Sequence, residues 1–214
     1  MFRDVVERFE VSQVTALRWL VRHCLRNPAG SFSIHRLSQD LKSQGHGVAR
    51  DAVNAMLGHL VDAFLLSAVP VATDSERQRN SNPRKIYPAD PGLIRAFDAS
   101  GRANTGHALE TAVFNELERR RPEIGYVKTA DGFEVDFLAR YRGTGDELIQ
   151  VCAHLQTQDI VAREVRALQE AAKEHPRARQ LILVLDRDGV GEVQHVPGIE
   201  VLPAYEWLLA ESAQ

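Results

Sequence analysis

From Val11 to Leu25 the apolar residues fall at Val14, Leu17, Leu20, Val21 and Leu25, one side of a helix, and Asn27-Pro28-Ala29-Gly30 ends it. Ser33 stands as an N-cap ahead of Ile34, Leu37 and Leu41, which predicts a second, short helix closing at Gly45-His46-Gly47. A third helix is expected over about Arg50 to Phe64, its inward face made of Val53, Met56, Leu57, Leu60, Val61 and Phe64. Two short strands, Leu65 to Val71 and Arg84 to Tyr87, flank a polar loop from Thr73 to Asn82. Helices joined by tight glycine-containing turns and followed by such a pair of strands describe a winged helix-turn-helix, with the polar loop where a wing belongs.

The chain turns small and polar from Ala99 to Thr105, so the expected organisation is a module over residues 1–98, a linker at 99–105 and a second domain over 106–214. That domain opens with a helix at about Gly106 to Arg120, carrying Leu109, Val113, Phe114 and Leu117 inward. Strands are expected at Ile124 to Thr129, Phe133 to Arg140 and Glu147 to Ala153, then a polar-faced helix at about Asp159 to His175. Leu181 to Leu185 is wholly apolar and fits a strand buried on both faces. A strand or two around Val193 to Val201 and a helix at Ala204 to Ala210 complete the order αβββαβ with a tail, so the fold class is α+β or α/β.

Composition narrows the partners only slightly. With 44% hydrophobic and 26% charged residues the chain reads as folded protein. No apolar run approaches the length of a membrane span, and the charged start is followed by no apolar signal core, so no membrane partner and a cytoplasmic location are expected. Cys24 and Cys152 are far apart and form no CxxC pair, which argues for reduced thiols and against a cysteine-rich zinc site. His23, His35, His46 and His59 are scattered rather than spaced as ligands. The net charge is −3, but residues 1–98 hold 13 Lys+Arg against 10 Asp+Glu, leaving 13 against 19 in the remainder. A DNA-facing first half is permitted by that asymmetry and not required by it.

The chemistry lies on the middle strands of the second domain. In Phe133-Glu134-Val135-Asp136-Phe137 the apolar residues point one way and Glu134 and Asp136 the other. On the next strand Leu148, Gln150 and Cys152 share a face, so a hairpin lets Asp136 and Gln150 approach each other with Cys152 further along. At these residues the domain resembles the PD-(D/E)xK nuclease superfamily, whose αβββαβ core presents an Asp on the second strand and (D/E)-x-K on the third. The resemblance implies Asp136 for the Asp and Glu110 for an acidic residue on the first helix. Gln150-Val151-Cys152 stands where (D/E)-x-K belongs. Two carboxylates hold Mg²⁺ in that family and the lysine assists the attacking water. Gln150 removes one charge from such a magnesium site and weakens it, and Cys152 supplies no cation. Lys128, on the first strand, is the candidate replacement for the lysine, its alternative being a solvated side chain.

A wider resemblance covers nearly the whole chain. Arg3-Asp4-Val5-Val6-Glu7-Arg8, Asn82-Pro83-Arg84-Lys85-Ile86-Tyr87 with Asp90-Pro91-Gly92-Leu93, and Gly132-Phe133-Glu134-Val135-Asp136-Phe137 with Ile149-Gln150-Val151-Cys152 resemble the C-terminal region of a family of prokaryotic AAA-type ATPases. That architecture implies an ATPase domain, a winged helix and a nuclease-like domain in series. No GxxxxGK[ST] loop occurs here, so this chain by itself is not expected to bind ATP in a P-loop, and whether an upstream ATPase belongs with it stays open.

In the first module Arg50, Asp51 and Asn54 decorate the outer face of the third helix, and Arg77, Arg79, Arg84 and Lys85 cluster on or near the wing. As a DNA-binding set these would place helix side chains in the major groove and wing cations on phosphates. Arg163-Glu164 opens the long helix and either points at the acidic face or forms a surface charge pair. Three functions remain in view. They are a DNA-associated regulatory or processing module with a degenerate, inactive nuclease fold, a non-catalytic domain docking on an ATPase or other protein, and a Mg²⁺-dependent endonuclease using Glu110, Asp136, Gln150 and Lys128.

Overall fold

A computed structural model describes residues 2–98, 104–143, 145–154, 157–193 and 196–210; most of the expected linker, 99–103, lies outside the described residues. The fold is mixed α+β, with ten helices and two sheets among the described residues. Two compact units divide it, Met1–Val69 with Ser81–Ala103 and Pro70–Asn80 with Asn104–Gln214. No helix among the described residues is long and apolar enough to cross a membrane.

The first unit holds α1 (Phe2–Arg8), α2 (Val14–Arg26), β1 (Ser31–Phe32), α3 (Ile34–Ser43), α4 (Arg50–Asp62) and β2 (Leu66–Val69). After Pro70–Asn80, which packs in the second unit and carries most of α5 (Glu76–Ser81), β3 (Arg84–Pro88) and α6 (Gly92–Phe97) complete it. The Ser33 hydroxyl accepts the Arg36 N–H at 3.2 Å, which starts α3 where the cap was expected. Leu17, Leu20, Leu25, Leu37, Leu41, Val53, Leu60 and Ile86 close a dry core under an antiparallel sheet ordered β1-β3-β2.

Phe64 corrects the expected face of the third helix. The helix stops at Asp62, and Phe64 adopts a left-handed φ of 55° with 85% of its surface exposed. Its N–H reaches the Val61 carbonyl at 2.9 Å and that of Leu65 reaches Leu60 at 3.0 Å, so Leu65, not Phe64, turns into the core.

The second unit is a five-stranded sheet with helices on both faces. Its strands are β4 (Glu123–Lys128), β5 (Glu134–Tyr141), β6 (Gly145–Cys152), β7 (Arg179–Val184) and β8 (Ile199–Pro203), in that order across the sheet. The first three pair antiparallel and β6-β7-β8 parallel, joined through α8 (Gln158–Glu174) and α9 (Arg187–Glu192). Helix α7 (Thr105–Arg120) lays Phe114 over Phe137 at 6.3 Å, while α8 packs Val161, Leu168 and Ala171 against Leu138, Leu148, Ile182 and Val184 on the other face. Leu181 to Val184 are fully buried, as a strand covered on both sides requires. Helix α10 (Ala204–Leu209) is tied to α7 by Arg120, which stacks on Trp207 at 4.0 Å and donates to its carbonyl at 2.6 Å.

Candidate functional site

The site forms where β5 and β6 part. Their regular pairing ends at Phe137↔Ile149, yet β6 continues alongside β7 as far as Cys152↔Val184. Two backbone N–H groups beyond that point are satisfied by side chains. The Asp136 N–H donates to Gln150 Oε1 at 3.3 Å, and the Val151 N–H donates to Asp136 Oδ2 at 3.0 Å. Buried main-chain donors left unpaired are costly, so each polar side chain completes the strand end opposite it.

Strand alternation turns Gln150 toward the face covered by α8, and there Gln150 Nε2 donates to Glu164 Oε2 at 2.7 Å. Glu164 Oε1 accepts from Arg163 Nε at 3.1 Å and Nη2 at 2.5 Å. Asp136, Gln150 and Glu164 are 8%, 7% and 6% exposed, whereas the Arg163 side chain is 70% exposed and brings its charge in from solvent. Half-buried Cys152 lies beside them. Burial, with the Glu164 carboxylate nearby, pushes its thiol up to about 11, and its S–H donates to the His154 carbonyl at 3.5 Å. At neutral pH it is an uncharged thiol, neither a nucleophile nor a substitute for a lysine.

Glu164 is the member that sequence reading left undecided. Its signal was present: Val161, Glu164, Leu168 and Ala171 recur at helical spacing on the buried stripe of α8, so a carboxylate stood in a row of core positions. Glu110 is buried on α7, the helix whose Phe114 stacks over Phe137 of β5. Lys128 is exposed at the end of β4, across from Glu134. The register shift between Gly125 and Val127 sets Asp136 and Phe137 of β5 against Tyr126 alone, so the bulge is in β5 and corrects the alternation expected there: Phe133 and Val135 pack with the cluster under α8 although Phe137 stacks on Phe114 of α7.

These donors do not fit a magnesium ion. Mg²⁺ takes an octahedral set of oxygens, but Gln150 Oε1, Asp136 Oδ2 and both Glu164 oxygens already accept hydrogen bonds, and Gln150 aims an N–H₂ group, not an oxygen, at Glu164. Arg163 adds a positive charge where a second cation would be repelled.

Of the residues expected at a DNA surface, Arg50 and Asn54 lie exposed on α4, as does Asp51. Arg77 is exposed on α5, a helix formed within the stretch expected to be an open loop. Arg79, on the same helix, donates to Glu123 at 3.2 Å and to the Thr73 carbonyl at 3.2 Å. Arg84 is partly buried. Lys85 departs from its expected place on a cationic surface: it is 3% exposed because β3 is the central strand, with Ser31 and Val69 on either side of it. No curated protein and no solved structure matches the chain. Residues 1–104 match a family described as a domain of unknown function, DUF8612, so the likeness covers the stretch around the first unit and leaves the polar site outside it.

Proposed function

We propose that the chain is a DNA-associated accessory module in which a winged helix precedes a nuclease-like domain of the PD-(D/E)xK type that does not cut. The observation that carries it is α4. This helix buries Val53, Met56, Leu57 and Leu60 and leaves Arg50 and Asn54 exposed, the arrangement of a helix that can enter a major groove. The order α2-β1-α3-α4-β2-β3 with the sheet order β1-β3-β2 supports the winged-helix reading, and the order α7-β4-β5-β6-α8-β7 supports the nuclease-like one. The non-cutting part rests on Gln150 and Cys152, whose hydrogen bonds and neutral thiol offer neither a metal ligand nor a cation.

The reading is tested by fluorescence anisotropy of a labelled duplex across a salt series, together with plasmid incubation in Mg²⁺ and Mn²⁺. Two or three phosphate contacts imply a logarithmic salt slope of about −2 to −3, with weaker binding in Arg50→Ala and intact plasmid throughout. Binding that is absent or indifferent to salt removes DNA from the proposal, and cutting that disappears in Asp136→Ala overturns the non-cutting part.

A second reading, docking on an ATPase domain or another protein, is favoured by Phe64. A phenylalanine 85% exposed at a strained backbone position serves nothing within its own unit that exposed glycine would not. The burial of Lys85 and the pairing of Arg79 with Glu123 point the same way, since they take two cations out of a phosphate-binding set.

A further inference from the structure

We propose that Gln150 replaces a metal ion in this domain: its carboxamide links the parted end of β5 to Glu164 of α8, making a metal-free clamp that the single exchange Gln150→Glu would turn into a divalent-cation site. The inference concerns the second unit alone and stands whether or not the chain touches DNA.

The physical argument is the two-sidedness of an amide. Position 150 must accept from the Asp136 N–H at 3.3 Å and donate to Glu164 Oε2 at 2.7 Å. A carboxamide carries one oxygen acceptor and one N–H₂ donor on the same short arm, so it meets both demands without charge. A carboxylate of the same length meets the first and violates the second. It would face Glu164, oxygen to oxygen, with Asp136 close by, in surroundings where all three are more than nine-tenths buried. Like charges held that way demand either a shared proton or a cation between them. In the natural chain the demand does not arise. Glu164 is neutralised from outside by Arg163, which reaches it with two nitrogens, and the Asp136 carboxylate receives the Val151 N–H.

The clamp also explains why the polar cluster sits where it does. Residue 150 is still paired with Ile182 of β7 when β5 has already left it, so without the Gln150 carboxamide the buried Asp136 N–H would lose the acceptor it has at 3.3 Å. Glu164, on the buried stripe of α8, gives that bridge a fixed anchor and ties the crossover helix to the two antiparallel strands.

The experiment uses the full chain, its Gln150→Glu variant, and the double variant Gln150→Glu with Glu164→Gln, which restores a donor and an acceptor in swapped positions. Melting is followed in EDTA, in millimolar Mg²⁺ and in millimolar Mn²⁺, with Mn²⁺ titrated by calorimetry. The natural chain is expected to melt at one temperature in all three and to give no binding heat. Gln150→Glu is expected to melt about 4 °C or more lower in EDTA and to recover in Mn²⁺ with measurable binding, and the swapped pair to regain stability without metal. If Gln150→Glu does not fold in EDTA, refolding on adding Mn²⁺, read by circular dichroism, takes the place of the melt, and failure to refold counts against the clamp. A natural chain that loses stability in EDTA or titrates with Mn²⁺ overturns the proposal, as does a folded Gln150→Glu that takes up no Mn²⁺.

Discussion

Phe64 closes α4 through the pair of hydrogen bonds that ordinarily surrounds a glycine, Phe64 N–H to Val61 and Leu65 N–H to Leu60, with Leu65 and Leu60 in contact with the same core. A side chain with a β-carbon is strained at φ 55° by ~1 kcal/mol, and the exposed ring recovers little of it by burial. Phe64→Gly should therefore raise the stability of the first unit by a few tenths to about 1 kcal/mol in urea titration, because the gain in backbone fit exceeds the added freedom of the unfolded chain. A loss of stability instead would mean that the ring supports the fold after all. Periodicity placed Phe64 inside because it counts apolar residues without seeing where the helix ends. Gln150 is the reverse case: as a letter it reads as a ligand lost, and only its partners Asp136 and Glu164 make it a bridge.

The long periodic segments came through well at the scale of elements. Helices α2, α3, α7 and α8 and strands β5, β6 and β7 lie within a few residues of where apolar spacing and caps predict them, since burial of one stripe or face decides each. The misses are short. Helix α5, Glu76-Arg77-Gln78-Arg79-Asn80-Ser81, has no buried residue and so no period to read, and β1 is two residues long. Strand β4 carries a constraint that no pattern reveals. Pro70 to Ala72 run beside it, with the Ala72 N–H on the Tyr126 carbonyl at 2.8 Å and the Tyr126 N–H on the Pro70 carbonyl at 3.0 Å. A β-carbon on Gly125 would stand 2.9 Å from that of Ala72 and 3.1 Å from its nitrogen, and neither can yield without breaking these bonds. Gly125→Ala is accordingly expected to cost about 1–3 kcal/mol in denaturant titration, far more than Gly106→Ala, where nothing lies within 4 Å. Equal effects of the two would remove the close approach as the reason for the glycine.

Across the whole molecule each unit has its own buried core, and each buries a histidine in part. Burial lowers the pKa of His23 in the first unit, with Arg36 adding to it and Asp40 opposing, and of His175 in the second, with Arg140 adding to it. The unfolded chain then binds protons more readily than the folded one, so stability is full above the ordinary value of 6.5 and declines as pH falls from there toward the lowered folded values. The Glu116 carboxylate, held low first by Arg119 and also by Arg120, acts only below its ordinary 4.5, which separates the two windows. Melting temperature should drop between neutral pH and about pH 5.5, and the double variant His23→Gln with His175→Gln should flatten that slope. An unchanged slope would assign the acid sensitivity to other groups. Taken as a string, the sequence determined the helices and strands with a strong apolar period, the capped start of α3, the dry centre at β7 and the meeting of Asp136 with Gln150, because all of these follow from local spacing and hairpin register. Only the tertiary structure decided that Glu164 closes the polar cluster, that Lys85 is buried and that residues 70–80 pack with the second unit, because each depends on which distant surface covers a residue, and spacing along the chain carries no record of that.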